Sequence, residues 1–454
     1  MNHPINIVVV NNASGIPASS DGVMGMICKA VAISTTFALD TAYLISKLSD
    51  LTTLGITAAL DVTNGTAIYQ QVSEFYAQAG DGALLWLVGT AKSNAFATYV
   101  ASSTFSGLIR GTAADDPANR IKMLGLCYDV PTATQSTTDF PTDVAATITA
   151  LQTATTQLFN LGYQFSSIID GYNMSTTVTP STIGSMATQA ASSVSVCITG
   201  TQPNGVSSVG LALGRFARIS IGHGFGAVAD GPVNTSTAYL TNGIALPASG
   251  TLTVGVVYTV HGGTVTYNAV LYLSGQSFTA VTGHTSFTTT DGGAVYTAAT
   301  PVAKLSPSDV SSLGSKQYMF LRNWFNHSGY FWNDGATCDL ASNQLSTQEY
   351  NRVANAISAD ALSFFIEEMG KNLPLNPKTG NVDSIYLNAK QKEFYDQYIS
   401  PLTVSSGSGD LSDGSLVVTG VNFNATKTLN FVITIVPTPI LGAVTGTIQF
   451  SATL

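Results

Sequence analysis

The residue types and spacing that invite chemistry gather first at 214–232, GRFARISIGHGFGAVADGP. Gly222, Gly224 and Gly226 could let backbone N–H groups close on a phosphate, with His223 between them. Dinucleotide binding needs G-x-G-x-x-G after a strand and at the opening of a helix, because the helix N-terminus supplies the N–H groups that hold the pyrophosphate. Here the spacing is G-x-G-x-G, and Asp230, Gly231 and Pro232 stop a helix where one would have to run. No Gly-Lys-Ser/Thr follows any glycine loop. The expected structure is a glycine turn that lets two backbones pack closely.

Other reactive groups do not converge. The histidines (His3, His223, His261, His284, His327) form no HExxH and no i, i+4 pair, and His261 falls in a turn. Cys28, Cys127, Cys197 and Cys338 are far apart without a CxxC pair, so they read as reduced core residues. No G-x-S-x-G elbow occurs. Asp115/Asp116 and Glu367/Glu368 are adjacent pairs. Helical neighbours point about 100° apart, so Glu367 and Glu368 cannot flank one substrate, and solvated surface is the reading. With no acid/base or nucleophile set, the chain is expected not to be an enzyme and to carry no metal and no cofactor. RNWFNHSGYFWNDG (322–335) holds two Trp, two Phe and a Tyr. Aromatic density can mark a sugar- or partner-binding face; a core strand and turn is the favoured reading.

Bulk properties narrow the classes. At 454 residues the chain exceeds one ordinary core, and two to four domains are expected. Only 9% of residues are charged, against about 25% in soluble proteins, so little repulsion keeps copies apart and self-association is favoured. The net charge of −9, without a Lys/Arg cluster, argues against nucleic acid as a partner. No apolar run reaches the ~18–20 residues of a spanning helix, and GALLWLVG (82–89) fits a buried strand better, so no direct membrane insertion is expected. MNHPINIVVV lacks a basic n-region and a cleavage site, so no signal peptide is expected.

The elements that would hold these residues divide the chain. INIVVV (5–10) reads as a strand with Ile5, Ile7 and Val9 on one face, and the loop NNASGIPASSDG follows, giving an arm over 1–20. Residues 21–235 read as α/β, with helices at 40–55, 68–80 and 142–165 and strands at GALLWLV, IKMLGLCYD, SSIIDGYN and SSVSVCITG. Ile68, Val72, Phe75 and Tyr76 form a helical stripe. Residues 236–303 turn to Thr, Gly, Val and Tyr in short alternating runs, a β-rich insertion. Residues 304–436 form a C-terminal domain with helices at 346–371 and 384–399. Ser346 and Glu349 have capping-box spacing, and Tyr350, Val353, Ile357, Ala361 and Phe364 form a stripe. Twelve of the chain's 43 Asp, Glu, Lys and Arg residues lie between Glu349 and Asp396, so this region reads as the charged surface. Strands SLVVTGVNF and LNFVITIV close the domain. In 437–454, PTPILGA is an extended spacer, and Val444, Ile448, Phe450 and Leu454 share one face of a further strand. Pattern alone leans to a local hairpin with 429–436 over pairing outside the domain.

In order and ensemble, the chain resembles contractile tail sheath proteins of phage tails and bacterial injection systems. NGTAIYQQVSEFYAQAGDGALLWLVG is similar to an early sheath segment in which a helix leads into a core strand. GLALGRFARISIGHGFGAVADGPV is similar to a middle segment, and GYFWNDGATCDLASNQLSTQEYNRVANAIS to the segment that carries the long helix, with Arg352 at the family's Arg position. The resemblance implies an α/β (α+β) multi-domain, non-enzymatic subunit with extended strand arms; the β insertion at 236–303 has no counterpart in the minimal sheath and is expected to face outward. It implies hexameric rings stacked around an inner tube, with baseplate and tail terminator partners, in a virion tail or injection-device sheath assembled in the bacterial host cytoplasm. It reverses the hairpin reading: Ile5, Ile7, Val9, Val444, Ile448, Phe450 and Leu454 become strand-exchange contacts between subunits. Lys378, Lys390 and Lys392 are the tube-facing candidates. The rival classes are a surface or adhesin-type protein with a glycan-binding insertion, and a hydrolase.

Overall fold

The computed structural model describes residues 23–110, 121–130, 142–172, 179–202, 204–240, 245–246, 251–261, 264–273, 276–290, 294–297, 302, 305–343, 345–367, 371–403, 409–419 and 430–438. They form two compact units, one of residues up to Ile221 with Phe225–Arg352, the other of Gly222–Gly224 with Val353 onward. Both expected arms, apart from Pro437 and Thr438, lie outside the described residues.

The first unit opens with β1 (Val23–Ala30), β2 (Ala42–Ile45), the one-turn α1 (Asp50–Thr53), α2 (Ala58–Asn64), α3 (Ile68–Ala79) and β3 (Leu85–Ala91). It continues through α4 (Phe96–Val100), α5 (Ser103–Arg110), β4 (Ile121–Cys127), α6 (Thr142–Phe159), β5 (Ser166–Asp170), β6 (Val194–Cys197) and α7 (Val209–Arg218). The sheet order is β2-β3-β1-β4-β5-β6, with β2 antiparallel and the rest parallel. Parallel strands covered on both faces read as continuous apolar runs rather than alternating ones. That is why LWLVGTA is buried from Leu85 to Thr90 and SSIID throughout. The parallel strands run in doubly wound order, with winding reversing between β1 and β4.

One expected helix is corrected. Residues 40–55 give β2, paired to β3 from Ala42↔Val88 to Ile45↔Leu85, and then α1. The break is local: the Asp50 carboxylate accepts from Ser46 N–H at 2.9 Å, Lys47 N–H at 3.2 Å and the Ser46 hydroxyl, which folds 46–50 into a tight loop. The stripe Ile68, Val72, Phe75 and Tyr76 on α3 is buried. α7 packs on α3 so closely that a Cβ at Gly210 would lie 1.9 Å from the Gln71 carbonyl oxygen. The Gln71 side chain bridges the contact, donating to Ser207 O and accepting from Gly210 N–H, both at 2.6 Å.

Strands β7 (Ala245–Leu246), β8 (Val257–His261), β9 (Thr264–Tyr267), β10 (Val270–Leu273), β11 (Ser277–Thr279), β12 (Thr288–Thr290) and β13 (Ala294–Thr297) form two small antiparallel sheets, β11-β8-β13-β7 and β10-β9-β12. They share a core of their own, including Tyr258, Val260, Val265, Tyr267, Phe278, Phe287 and Val295. α8 (Pro307–Ser315) starts at a capping box between Ser306 and Asp309. β14 (Leu321–Arg322) and β15 (Phe331–Trp332) pair antiparallel across the aromatic loop, the favoured reading of that stretch. α9 (Gln348–Ile366) begins in the first unit, and its residues from Val353 belong to the second.

In the second unit, α10 (Ser384–Phe394) is capped by the Asp383 carboxylate on Ile385 N–H at 2.7 Å. It widens to a π turn over Tyr395–Ile399 and ends as a 3-10 turn over Ser400–Leu402, at Pro401, which lacks an N–H. β16 (Leu411–Thr419) and β17 (Asn430–Pro437) form a two-stranded antiparallel sheet. The core is aromatic: Phe365 stacks on Phe431 at 4.4 Å, and Phe364 meets Phe394 edge-on at 5.4 Å.

Candidate functional site

Chemistry in the first unit would sit at the carboxyl ends of the parallel strands. Strand register places Cys28, Cys127, Asp170 and Cys197 in one row across β1, β4, β5 and β6. All four are buried, and burial pushes the Cys127 thiol up and the Cys197 thiol up to about 12, so neither is a thiolate at neutral pH. Among the described residues no group of three or more His, Cys, Asp or Glu could hold a metal ion. Asp170 instead binds backbone. Its Oδ1 accepts from Tyr172 N–H at 2.7 Å, Ser207 N–H at 3.1 Å and the Ser207 hydroxyl at 2.6 Å. Its Oδ2 has no hydrogen-bond partner, and burial pushes the carboxyl up to about 7. Glu74, also raised by burial, accepts from Gln70 Nε2 and the Thr201 hydroxyl through one oxygen and leaves the other unpaired. Both acids hold the chain that leads into α7.

The glycine turn behaves as its spacing predicts. A Cβ at Gly226 would lie 2.3 Å from the Asn333 carbonyl oxygen, so two backbones do pack there. Arg215, ion-paired with Asp230, donates to the Phe225 carbonyl at 3.2 Å. In the second unit, Gly222 N–H donates to the Asp410 carboxylate at 3.0 Å.

Two charges read as surface are not. Glu349 and Arg352 are 1% and 2% exposed. Glu349 does not close the expected capping box with Ser346; its carboxylate accepts from Phe225 N–H at 2.7 Å. Arg352 donates to the carbonyls of Phe216 and Ile219 at 3.2 Å and Ser220 at 3.3 Å, which caps the C-terminal end of α7 with a cation. Sequence spacing carries no signal for either role, because the partners lie more than 120 positions away.

The second unit carries the described assembly candidates. Lys390 and Lys392 project from α10, and Lys378 lies in the turn closed by the Leu375–Val382 bridge. Lys390 pairs with Glu393 and Lys392 with Asp396, each at 2.7 Å, and the Lys390 ammonium lies 5.4 Å from the centre of the Phe364 ring. The β16–β17 sheet has an inner row, where Leu416 and Val418 are buried and Phe431, 41% exposed, stacks on Phe365, and an outer row led by Val417↔Val432. Val417, Val432 and Val436 are 52%, 64% and 47% exposed. The outer edge of β17 has no strand beside it among the described residues. Ile5, Ile7, Val9, Val444, Ile448, Phe450 and Leu454 lie outside the described residues.

The family model DUF2586, N-terminal domain, matches residues 3–245, more than half of the chain. The chain belongs to the DUF2586 family. Two solved structures are similar to this DUF2586 chain end to end. One is from the anti-feeding prophage baseplate, 6-fold symmetrised, at 11% identity and a TM-score of 0.53, covering 100% of both chains. The other is the anti-feeding prophage helical sheath in its contracted state, at 12% identity and a TM-score of 0.51, covering 99% of each chain. At these identities the likeness is one of fold, and the DUF2586 chain has the fold of a contractile tail sheath. No curated protein sequence matches it. Among the described residues no helix is long and apolar enough to cross a membrane.

Proposed function

We propose that this protein is the structural subunit of a contractile sheath. It assembles as stacked six-membered rings around an inner tube and contracts to drive the tube through a cell envelope. The observation that carries the proposal is the fold likeness to the contracted sheath over 99% of each chain. A multi-domain fold matched from end to end is a much narrower coincidence than a shared single superfold. The 6-fold baseplate neighbour supports the ring number, and the low charge content supports dense packing of copies.

Residues 1–20 and 437–454 are the linking arms in this proposal, and the outer edge of β17 is their docking edge in a neighbouring copy. Ile5, Ile7, Val9, Val444, Ile448, Phe450 and Leu454 set the register of the added strands through alternate side chains. Lys378, Lys390 and Lys392 face an acidic tube surface. The segment 236–303, with its separate core, decorates the outside. The device is a phage tail or injection-system sheath assembled in the bacterial cytoplasm, joined by baseplate and tail terminator proteins. Electron microscopy of the purified protein, alone and with its tube protein, is the test. Hollow helical tubes are expected; discrete globular particles under all conditions overturn the proposal.

A further inference from the structure

Resting on the sheath reading, we infer that the loop between β14 and β15 is a second contact between copies, separate from the strand arms: Arg322 takes a carboxylate of a neighbouring copy while Phe325 covers it. Phe325 is 90% exposed, the highest value among the exposed large apolar side chains of the described residues. Asn326 beside it holds a left-handed φ of 61°, and Asn323 Nδ2 donates to the Gly329 carbonyl at 2.9 Å, which ties the loop across its base. The loop therefore presents Phe325 outward on a braced turn.

Arg322 makes the partner's chemistry specific. Its guanidinium carbon lies over the Trp324 ring, 3.7 Å from the ring centre, and burial lowers its pKa. Its Nε is buried and has no hydrogen-bond partner, and the side chain forms no ion pair among the described residues. Asp334, the acid whose charge reaches it, is held by Asn333 Nδ2 at 2.9 Å and Ala336 N–H at 3.2 Å. A buried guanidinium N–H without an acceptor is costly, and the planar fork matches a carboxylate with two parallel hydrogen bonds. The Trp324 contact holds the guanidinium in place in advance, which cuts the ordering cost of binding. The chain has 26 acidic against 17 basic residues, so copies brought together carry carboxylates in excess of cations. An arginine left unpaired within one copy is complementary to that excess. Arg322, Trp324 and Phe325 are of the arginine and aromatic types that concentrate binding energy in interfaces.

The experiment measures critical concentration by sedimentation and electron microscopy for the full chain and for Arg322→Glu, Arg322→Lys and Phe325→Ser. Far-UV circular dichroism and urea midpoints establish folding. Phe325→Ser alters only an exposed side chain, so it tests the contact even where an Arg322 variant folds poorly. Arg322→Glu and Phe325→Ser are each expected to raise the critical concentration at least tenfold, and Arg322→Lys to recover only part, since it restores charge but not the stack or fork. Wild-type tubes with unchanged critical concentration in Phe325→Ser and in folded Arg322→Glu overturn this contact and leave the sheath proposal standing. A wild type that never polymerises overturns both.

Discussion

Replacing Asp170 by Asn should flatten a pH dependence of stability whose sign is unusual for a carboxylate. The Asp170 carboxyl is held up to about 7 in the folded protein by burial, against an ordinary value of 3.8. A raised carboxyl pKa means the native state keeps a proton that the unfolded chain has already released. Its penalty is absent below pH 3.8, grows as pH rises from there to about 7, and is constant above. Between pH 5 and 7 the native state gives up ~2.3 kcal/mol by this route, at ~1.36 kcal/mol per unit while the folded group keeps its proton and half that slope at pH 7. Asn keeps an oxygen for Tyr172 N–H, Ser207 N–H and the Ser207 hydroxyl, and places its amide where Oδ2 has no partner. It has no proton to exchange. Urea unfolding of both proteins, at about pH 5 and about pH 7.5, gives two stability differences in which all other titrating groups cancel. The variant should gain ~2–3 kcal/mol on the wild type between the two conditions, whatever its absolute stability. A change under ~0.5 kcal/mol would refute the assignment of a buried, protonated carboxyl.

Three further outcomes follow. Arg352→Met should destabilise the first unit by ~2–4 kcal/mol in urea unfolding, because it strips a charged donor from the Phe216, Ile219 and Ser220 carbonyls; a loss below ~0.5 kcal/mol would show the cap to be dispensable. Lys378→Glu, Lys390→Glu and Lys392→Glu combined should abolish co-sedimentation with the tube protein while the folded monomer loses under ~1 kcal/mol, since its ion pairs are exposed; undiminished co-assembly would remove these lysines from the tube interface. Truncation after Leu441 should leave a folded monomer that forms no extended tubes by electron microscopy, and normal tubes from it would show that 442–454 is not an intersubunit arm.

Wherever burial imposes a period, the sequence is readable. The α3 stripe and the buried runs of β3, β4 and β5 show in residue order, since one face or both must avoid water. Residues 40–55 misled because Leu44, Leu48 and Leu51 sit at helical spacing, while Asp50 turns its carboxylate back on the N–H groups of Ser46 and Lys47 and breaks the helix before it starts. Charge count misled at 349–352 for a different reason. A Glu and an Arg one turn apart look solvated, and only the fold brings up the Phe225 N–H and the end of α7 that satisfy them. The row Cys28, Cys127, Asp170 and Cys197 is likewise a product of strand register, with members 27 to 99 positions apart in order along the sheet. The arms lie outside the described residues, and pattern alone does not say which sheet a strand there would join.

The sheath reading also orders the contacts by strength. Lys390 and Lys392 already have partners on their own helix, so an acidic tube residue gains them only by exchange, and exposed pairs are worth ~0.2–1 kcal/mol each and weaken with salt. An added strand instead makes a ladder of backbone hydrogen bonds at ~0.5–1.5 kcal/mol each, along an edge that runs the eight residues of β17. The outer row of Val417, Val432 and Val436 adds apolar area to whatever lies across that face. The lysines therefore suit contacts that must break, and the β17 edge suits contacts that must persist while subunits move. Raising salt should strip the tube from the assembled protein well before it separates copy from copy. The opposite order would mean that charge, rather than strand pairing, holds the lattice together.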